Sequence, residues 1–248
     1  MKIVTVVRRV PDVEARVEVA DDAVSVSGAA WGLDGMDEYG VEQALRMREG
    51  GLDAEVVALA VGPDATEEVL RTALAMGADR ARLLRTDGAE AGDVLAEANL
   101  LADVLRDEAP DLVLTGGKHA DTDSAALGPA LAEHLGWPLA DWTTRLELDG
   151  TTVRAVHDGD AGPETLTFAL PAVVTTQQGL AEPRYPTLPN IMKAKRKPLD
   201  VADAPTPASG TRVTARAPEQ RARARRLLDG PLEAQARELA RVLREGAA

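Results

Sequence analysis

Strand-like and helix-like periods alternate along the first 135 residues with short connections between them, and this more than anything else limits what the chain can fold into. Residues 2 to 7 form an apolar, β-branched run. From Asp37 the spacing turns helical through Val41, Ala44 and Leu45 and stops at Gly50-Gly51. Val56 to Val61 reads as a buried strand. After Gly62-Pro63, Asp64 with Glu67 three residues on reads as a capping box opening a helix whose stripe is Val69, Leu70, Ala73 and Leu74 and whose stop is Gly77. The alternation then continues: a strand near Ala81 to Leu84, a helix over Val94, Ala98, Leu101, Ala102 and Leu105, a strand at Leu112 to Thr115, and a helix from about Asp123 to His134. Such a series implies an α/β fold with an open, mostly parallel sheet covered by helices on both faces, Rossmann-like and of the adenine-nucleotide-binding type.

Two parts of the chain break the alternation. Between the first strand and Gly35, Val17, Val19, Val24 and Val26 stand at alternate positions, which predicts an antiparallel hairpin excursion. After Trp137, the run around Leu146 and the run from Thr152 to Val156 flank Asp149-Gly150, a second hairpin signal, and Thr165 to Ala169 and Ala172 to Thr176 read as further strands. Residues 1 to 200 are expected to form one nucleotide-binding domain. The remainder, 201 to 248, should be a linker, rich in turn formers such as Pro205, Pro207, Ser209 and Gly210, and a C-terminal helical arm with Leu232, Ala236, Leu239, Ala240 and Leu243 on one face.

Composition narrows the functional classes. A formal net charge of −13 gives no field that would attract nucleic acid or an anionic membrane surface. No apolar run approaches the roughly 20 residues of a membrane span, and the first residues carry no cleavable signal pattern, so no membrane insertion and a cytoplasmic protein are expected. Without cysteine, and with histidines only at 119, 134 and 157, the chain offers neither a thiolate nor a metal site of ordinary spacing. Redox chemistry therefore requires a bound cofactor. With aromatics at 2% of residues, a flavin ring would need stacking walls from elsewhere.

Among the loops, Thr115-Gly116-Gly117-Lys118-His119-Ala120-Asp121-Thr122-Asp123-Ser124 is the most informative. Glycines at the carboxyl end of a parallel strand let a ligand approach the backbone, and the helix start beyond offers amides to a phosphate. A plainer reading is a tight strand-to-helix turn with Asp123 or Ser124 as N-cap. Loops at Val6-Val7-Arg8, Gly32 to Met36 and Val61-Gly62-Pro63 are expected above the same sheet edge, where ligands of open α/β sheets bind. A second constellation runs from Glu182 to Pro198: prolines at 183, 186 and 189 imply an extended segment presenting Leu188, Ile191 and Met192, followed by Lys193, Lys195, Arg196 and Lys197. It suits docking onto another protein, or else is a solvated basic linker. No catalytic triad, carboxylate pair or Walker loop stands out, so no catalytic residue and no metal ligand is assigned.

Three blocks, Asp34 to Ala44, Arg71 to Arg80 and Glu182 to Lys195, resemble the electron-transfer flavoprotein beta subunit, and the likeness covers roughly residues 1 to 200. The resemblance implies a heterodimer with an alpha subunit that holds most of the FAD, while the beta subunit buries a structural AMP. It implies an electron carrier rather than an enzyme, taking electrons from acyl-CoA and related dehydrogenases, as in fatty acid oxidation, and passing them to a quinone oxidoreductase. By position, the AMP contacts would be Val6, Asp34, Gly35, Met36, Asp37, Val61, Gly116, Gly117, Lys118, Thr122, Asp123, Ser124, Ala125, Ala126 and Leu127. Ala125, Ala126 and Leu127 depart from the polar residues frequent there in the family. Leu188 would anchor a partner dehydrogenase, with Ile191, Met192, Lys193 and Lys195 around it. Other readings are a bifurcating member with a second FAD in the AMP site, an ATP pyrophosphatase-like enzyme, and a nucleotide-sensing α/β protein.

Overall fold

The computed structural model describes residues 1–20, 23–86, 93–205, 210–212, 214–217 and 227–246. Its centre is a nine-stranded sheet. Strands β1 (Lys2–Val6), β6 (Glu55–Gly62), β7 (Arg80–Arg85), β8 (Leu112–Gly116), β9 (Leu139–Asp149), β12 (Ala172–Thr176) and β13 (Leu199–Asp203) run parallel, and β10 (Thr152–Gly159) and β11 (Gly162–Ala169) extend one edge antiparallel. The order is β11-β10-β9-β12-β8-β1-β6-β7-β13. Period-two alternation divides the central strands between two cores. Ile3, Val56, Ala58, Leu112 and Leu114 pack with α1 (Gly35–Glu49) and α2 (Glu67–Met76), whereas Val4, Val57, Leu59 and Val113 pack with α3 (Val94–Glu108) and α4 (Leu127–Leu135). The expected two-faced α/β sheet is thus present.

Both hairpins form as their alternation suggested. β3 (Arg16–Ala20) pairs with β4 (Ala23–Ser27) so that Val17 faces Val26 and Val19 faces Val24, and β9 returns as β10 through Asp149-Gly150, with Gly150 at φ 59°. Two further short strands, β2 (Arg9–Pro11) and β5 (Trp31–Leu33), pair to close the excursion, and the Arg9 guanidinium lies 4.4 Å from the Trp31 ring centroid.

Local departures have physical causes. The capping box at Asp64 and Glu67 does not form: residues Asp64–Thr66 make a 3₁₀ turn, α2 begins without a side-chain cap, and the Asp64 carboxylate instead meets Arg85 at 3.1 Å. An ion pair across the sheet outcompetes the local bond. Helix α4 starts at Leu127 rather than near Asp123, because Asp123 (φ 54°) and Ala125 (φ 47°) sit in the left-handed region and break helical continuity. Neither Asp123 nor Ser124 caps it; Ala126 occupies that position with no side-chain bond. The stretch from 200, expected to be linker, opens as β13 on the outer side of β7, and Pro207 and Ser209 lie outside the described residues. The C-terminal helix is α6 (Leu232–Gly246).

At the amino edge of the sheet Glu108 gathers Arg80 (2.7 Å), Arg82 (3.1 Å) and Lys2 (3.4 Å). The Arg80 hydrogen bond, chiefly, holds its carboxyl at about 2, below the ordinary 4.5. A depressed acid lends stability that is whole above its unfolded value and vanishes as pH falls through the folded one. Glu108→Gln should therefore lower stability at pH 6 and flatten the acid unfolding curve between about 4.5 and about 2. An unchanged curve in a circular-dichroism titration would show that the cluster contributes nothing.

Candidate functional site

Helix α1 begins with two carboxylates that stitch three loops together at the carboxyl edge of the sheet. Asp34, the N-cap, accepts from its own helix at Met36 N (2.8 Å) and, through its other oxygen, from Ala120 N (2.8 Å) in the loop after β8. Asp37, one turn on, accepts from Gly116 N at 2.7 Å and from Arg8 N, just beyond β1, at 2.8 Å. Both residues are buried. The Met36 carbonyl takes a hydrogen bond from Thr176 Oγ1 at 2.7 Å, and the Thr176 carbonyl takes one from Gly117 N at 2.8 Å. Acidic groups in the first helical turn also suit the positive end of the helix dipole.

Acids crowd this edge, and the cations beside them are paired. His119 is buried with Nε2 3.4 Å from Asp37 Oδ1. Burial works against the charged ring, but the neighbouring Asp37 outweighs it and His119 titrates above its usual value. Asp34 is also pushed up, first by burial and then by Asp37. Arg8 bonds Glu97 of α3 and lies 3.5 Å from Asp121, while Lys118 meets Asp123 at 2.6 Å. These cations are thus already engaged, leaving backbone amides and small polar groups as the donors for an anionic ligand.

Of the residues singled out by sequence, Asp34, Gly35, Met36, Asp37, Gly116, Gly117 and Lys118 fall in one connected cluster with the end of β1, where Val6 is buried. Val61 stands at the same edge on the adjoining β6. Thr122 to Ala126 form the irregular bridge into α4: Thr122 N and Asp123 N both donate to His119 O, and Leu127 turns inward to the core. Close approach explains the glycines. A Cβ on Gly116 would come within 2.8 Å of Asp37 Oδ1, and one on Gly128 within 2.1 Å of Thr175 Cγ2. Two buried hydroxyls at this edge, Thr86 Oγ1 and Thr115 Oγ1, have no hydrogen-bond partner among the described residues, which fits an incoming polar ligand, while His119 Nε2 has its acidic neighbour Asp37 at 3.4 Å. Sequence reading placed Arg8 and His119 in their loops without giving either a role, and did not name Glu97, whose partner Arg8 lies 89 positions away.

The second candidate region is only partly extended. Residues 183–187 are irregular, but Leu188–Ala194 form the short helix α5, with Thr187 as N-cap and Pro189 in the first turn, where its missing N–H costs nothing. Tyr185, Leu188, Ile191 and Met192 are exposed, Leu188 by 78%, and Lys193 and Lys195 flank them. Only Ala194 is anchored in the core. The exposed apolar side chains are thus grouped on one short helix and bordered by basic ones. Among the described residues no helix is long and apolar enough to cross a membrane, and no cluster of acidic, histidine or cysteine residues could hold a metal.

Residues 22–207 match the family model described as electron transfer flavoprotein domain. The chain is 40% identical over 218 residues to the electron transfer flavoprotein subunit beta of Bradyrhizobium diazoefficiens, covering 87% of this chain and 86% of that protein. It is 38% identical to the subunit of the same name from Bacillus subtilis (81% and 78% covered) and 39% identical to that of Homo sapiens (81% and 80%).

Proposed function

The chain belongs to the electron transfer flavoprotein family, as a beta subunit, and from that premise we propose that it is half of a heterodimeric FAD-containing electron carrier. The reading is that an alpha subunit holds most of the FAD, that this chain buries AMP at the Asp34–Gly116 edge, and that the Leu188 segment docks acyl-CoA and related dehydrogenases before electrons pass to a quinone oxidoreductase. FAD, when bound, supplies the reversible electron acceptance that a chain without cysteine lacks. The chain's own part is to hold and present, with no catalytic side chain. Membership of the family sets aside the pyrophosphatase-like and nucleotide-sensing readings.

One observation carries the proposal: a single chain combines a sheet edge of converging glycine-bearing loops, lined with the orphaned buried hydroxyls of Thr86 and Thr115, with an exposed apolar helix bordered by lysines. The edge suits a nucleotide held by backbone and small polar groups: Val6, Asp34 to Asp37, Val61, Gly116 to Lys118 and Thr122 to Leu127. Because Lys118 and Arg8 are already engaged by acids, a monophosphate suits the site better than a polyphosphate. Ala125, Ala126 and Leu127 offer no side-chain donors, so the amides of that bridge and Ser124 would carry the phosphate. A nucleotide bound only by the folded state also stabilises it by mass action.

The test is co-expression with the alpha subunit followed by release and chromatographic quantification of nucleotides. One FAD and one AMP per heterodimer is the expected result. Two FAD without AMP would replace the carrier reading by a bifurcating one, and a stable lone chain without flavin would overturn the proposal.

A further inference from the structure

The docking segment is pinned at its two ends and little supported in its middle. On the amino side Arg184 forks onto two carboxylates of α1: Nε reaches Glu42 Oε2 at 2.7 Å, and Nη1 and Nη2 reach Glu49 at 2.6 and 3.0 Å. Glu42 is buried, and Arg46 reinforces the grip by binding Glu42 (2.9 Å) and the Glu182 carbonyl (2.8 Å). Burial alone would raise the Glu42 carboxyl, but the Arg184 and Arg46 hydrogen bonds prevail and hold it below the ordinary range. On the carboxyl side Arg71 Nη1 donates to the carbonyls of Ala194 and Lys197, both at 2.9 Å, while Lys197 Nζ donates to Leu74 and Ala78 at the end of α2.

Between these anchors a surface cleft of about 470 Å³, lined by Arg71, Thr72, Ala75, Pro186, Ile191, Ala194 and Lys195, runs beside the contact of α5 with α2. Apart from Ala194, the segment's larger apolar side chains, Tyr185, Leu188, Ile191 and Met192, are exposed, so its pose leans on the polar grips at its two ends. Irregular chain with an exposed apolar tip would otherwise lose much of its binding energy in becoming ordered on the partner. A guanidinium fork suits the task because it meets two carboxylates at fixed angles, whereas an ammonium is a point charge.

We propose that Arg184, gripped by Glu42 and Glu49, is the positioning residue that presents Leu188 to a partner whose surface offers an apolar socket rimmed by carboxylates. The proposal rests on the docking reading given above. The acidic rim complements Lys193 and Lys195, basic residues in a chain whose net charge is −13. Because α1 also carries Asp34 and Asp37, one helix sets both the nucleotide edge and the docking pose.

Three variants of the FAD-loaded heterodimer, Arg184→Met, Leu188→Ala and the double variant, test it by steady-state reduction with an acyl-CoA dehydrogenase. Arg184→Met leaves Glu42 paired with Arg46, so the fold and flavin content should persist, while KM for the carrier rises about tenfold at unchanged kcat. Arg184→Lys should recover part of the loss. Leu188→Ala should raise KM further, and the double variant should be no worse than Leu188→Ala alone, because a positioning residue has nothing left to position. An unchanged KM in Arg184→Met, multiplication of the two effects in the double variant, or loss of flavin from Arg184→Met would each overturn the proposal. If Leu188→Ala leaves KM unaltered, the docking reading itself fails and this proposal with it.

Discussion

Asp37→Ala should lower the stability of the chain by about 3–5 kcal/mol, the range for breaking a buried charged group away from its partners. One carboxylate accepts from Gly116 N and Arg8 N and lies beside a buried imidazole, so its loss strands two main-chain donors and the His119 ring at once. These partners belong to two chain segments, the turn after β1 and the loop after β8, that Asp37 ties to its own helix. A domain of this size loses roughly 2–4 °C of Tm per kcal/mol, so a fall on the order of 10 °C is expected in a thermal melt. Asp37→Asn, which keeps an acceptor oxygen, should cost less. A melt within about 2 °C of wild type for Asp37→Ala would contradict the role assigned to the carboxylate, since the general range leaves no room for so small a change.

Deleting residues 211–248 should leave the fold of the remaining chain intact and weaken the heterodimer about a hundredfold. Helix α6 contributes no residue to either core cluster, yet Leu232, Leu239 and Leu243 are exposed by 80%, 49% and 64% along one stripe. Each leucine fully buried gives about 1.5–3 kcal/mol. After the cost of ordering the arm, a net of about 3 kcal/mol, or about a hundredfold in Kd, is a reasonable share. Sedimentation or titration calorimetry with the alpha subunit measures it. A Kd within about threefold of the full chain would exclude the arm as the grip on the partner.

Much of this was legible in the order of residues. The two-faced sheet follows from runs such as Ile3-Val4 and Val56-Val57-Ala58, whose alternate side chains enter opposite cores. The hairpin of Val17 and Val26 was written in period two, and the glycine loops were found because backbone approach requires them. Illegible were the partners of isolated polar residues. Asp64 has the spacing of a cap but pairs with Arg85, 21 positions away, and Glu42 reads as one more acid on a helix until Arg184 arrives from 142 positions on.

By itself the sequence determined the class of fold, its pair of hairpins, the glycine-bearing edge and the exposed Leu188 segment, because periodicity and backbone allowance act over a few residues. Only the tertiary structure decided that α4 starts at Leu127, that residues 199–203 join the sheet, and that Asp34, Asp37, His119 and Arg184 find their partners. Those outcomes depend on which charges are brought within a few ångströms by packing, and electrostatic pairing over long chain separations leaves no period in the sequence to read.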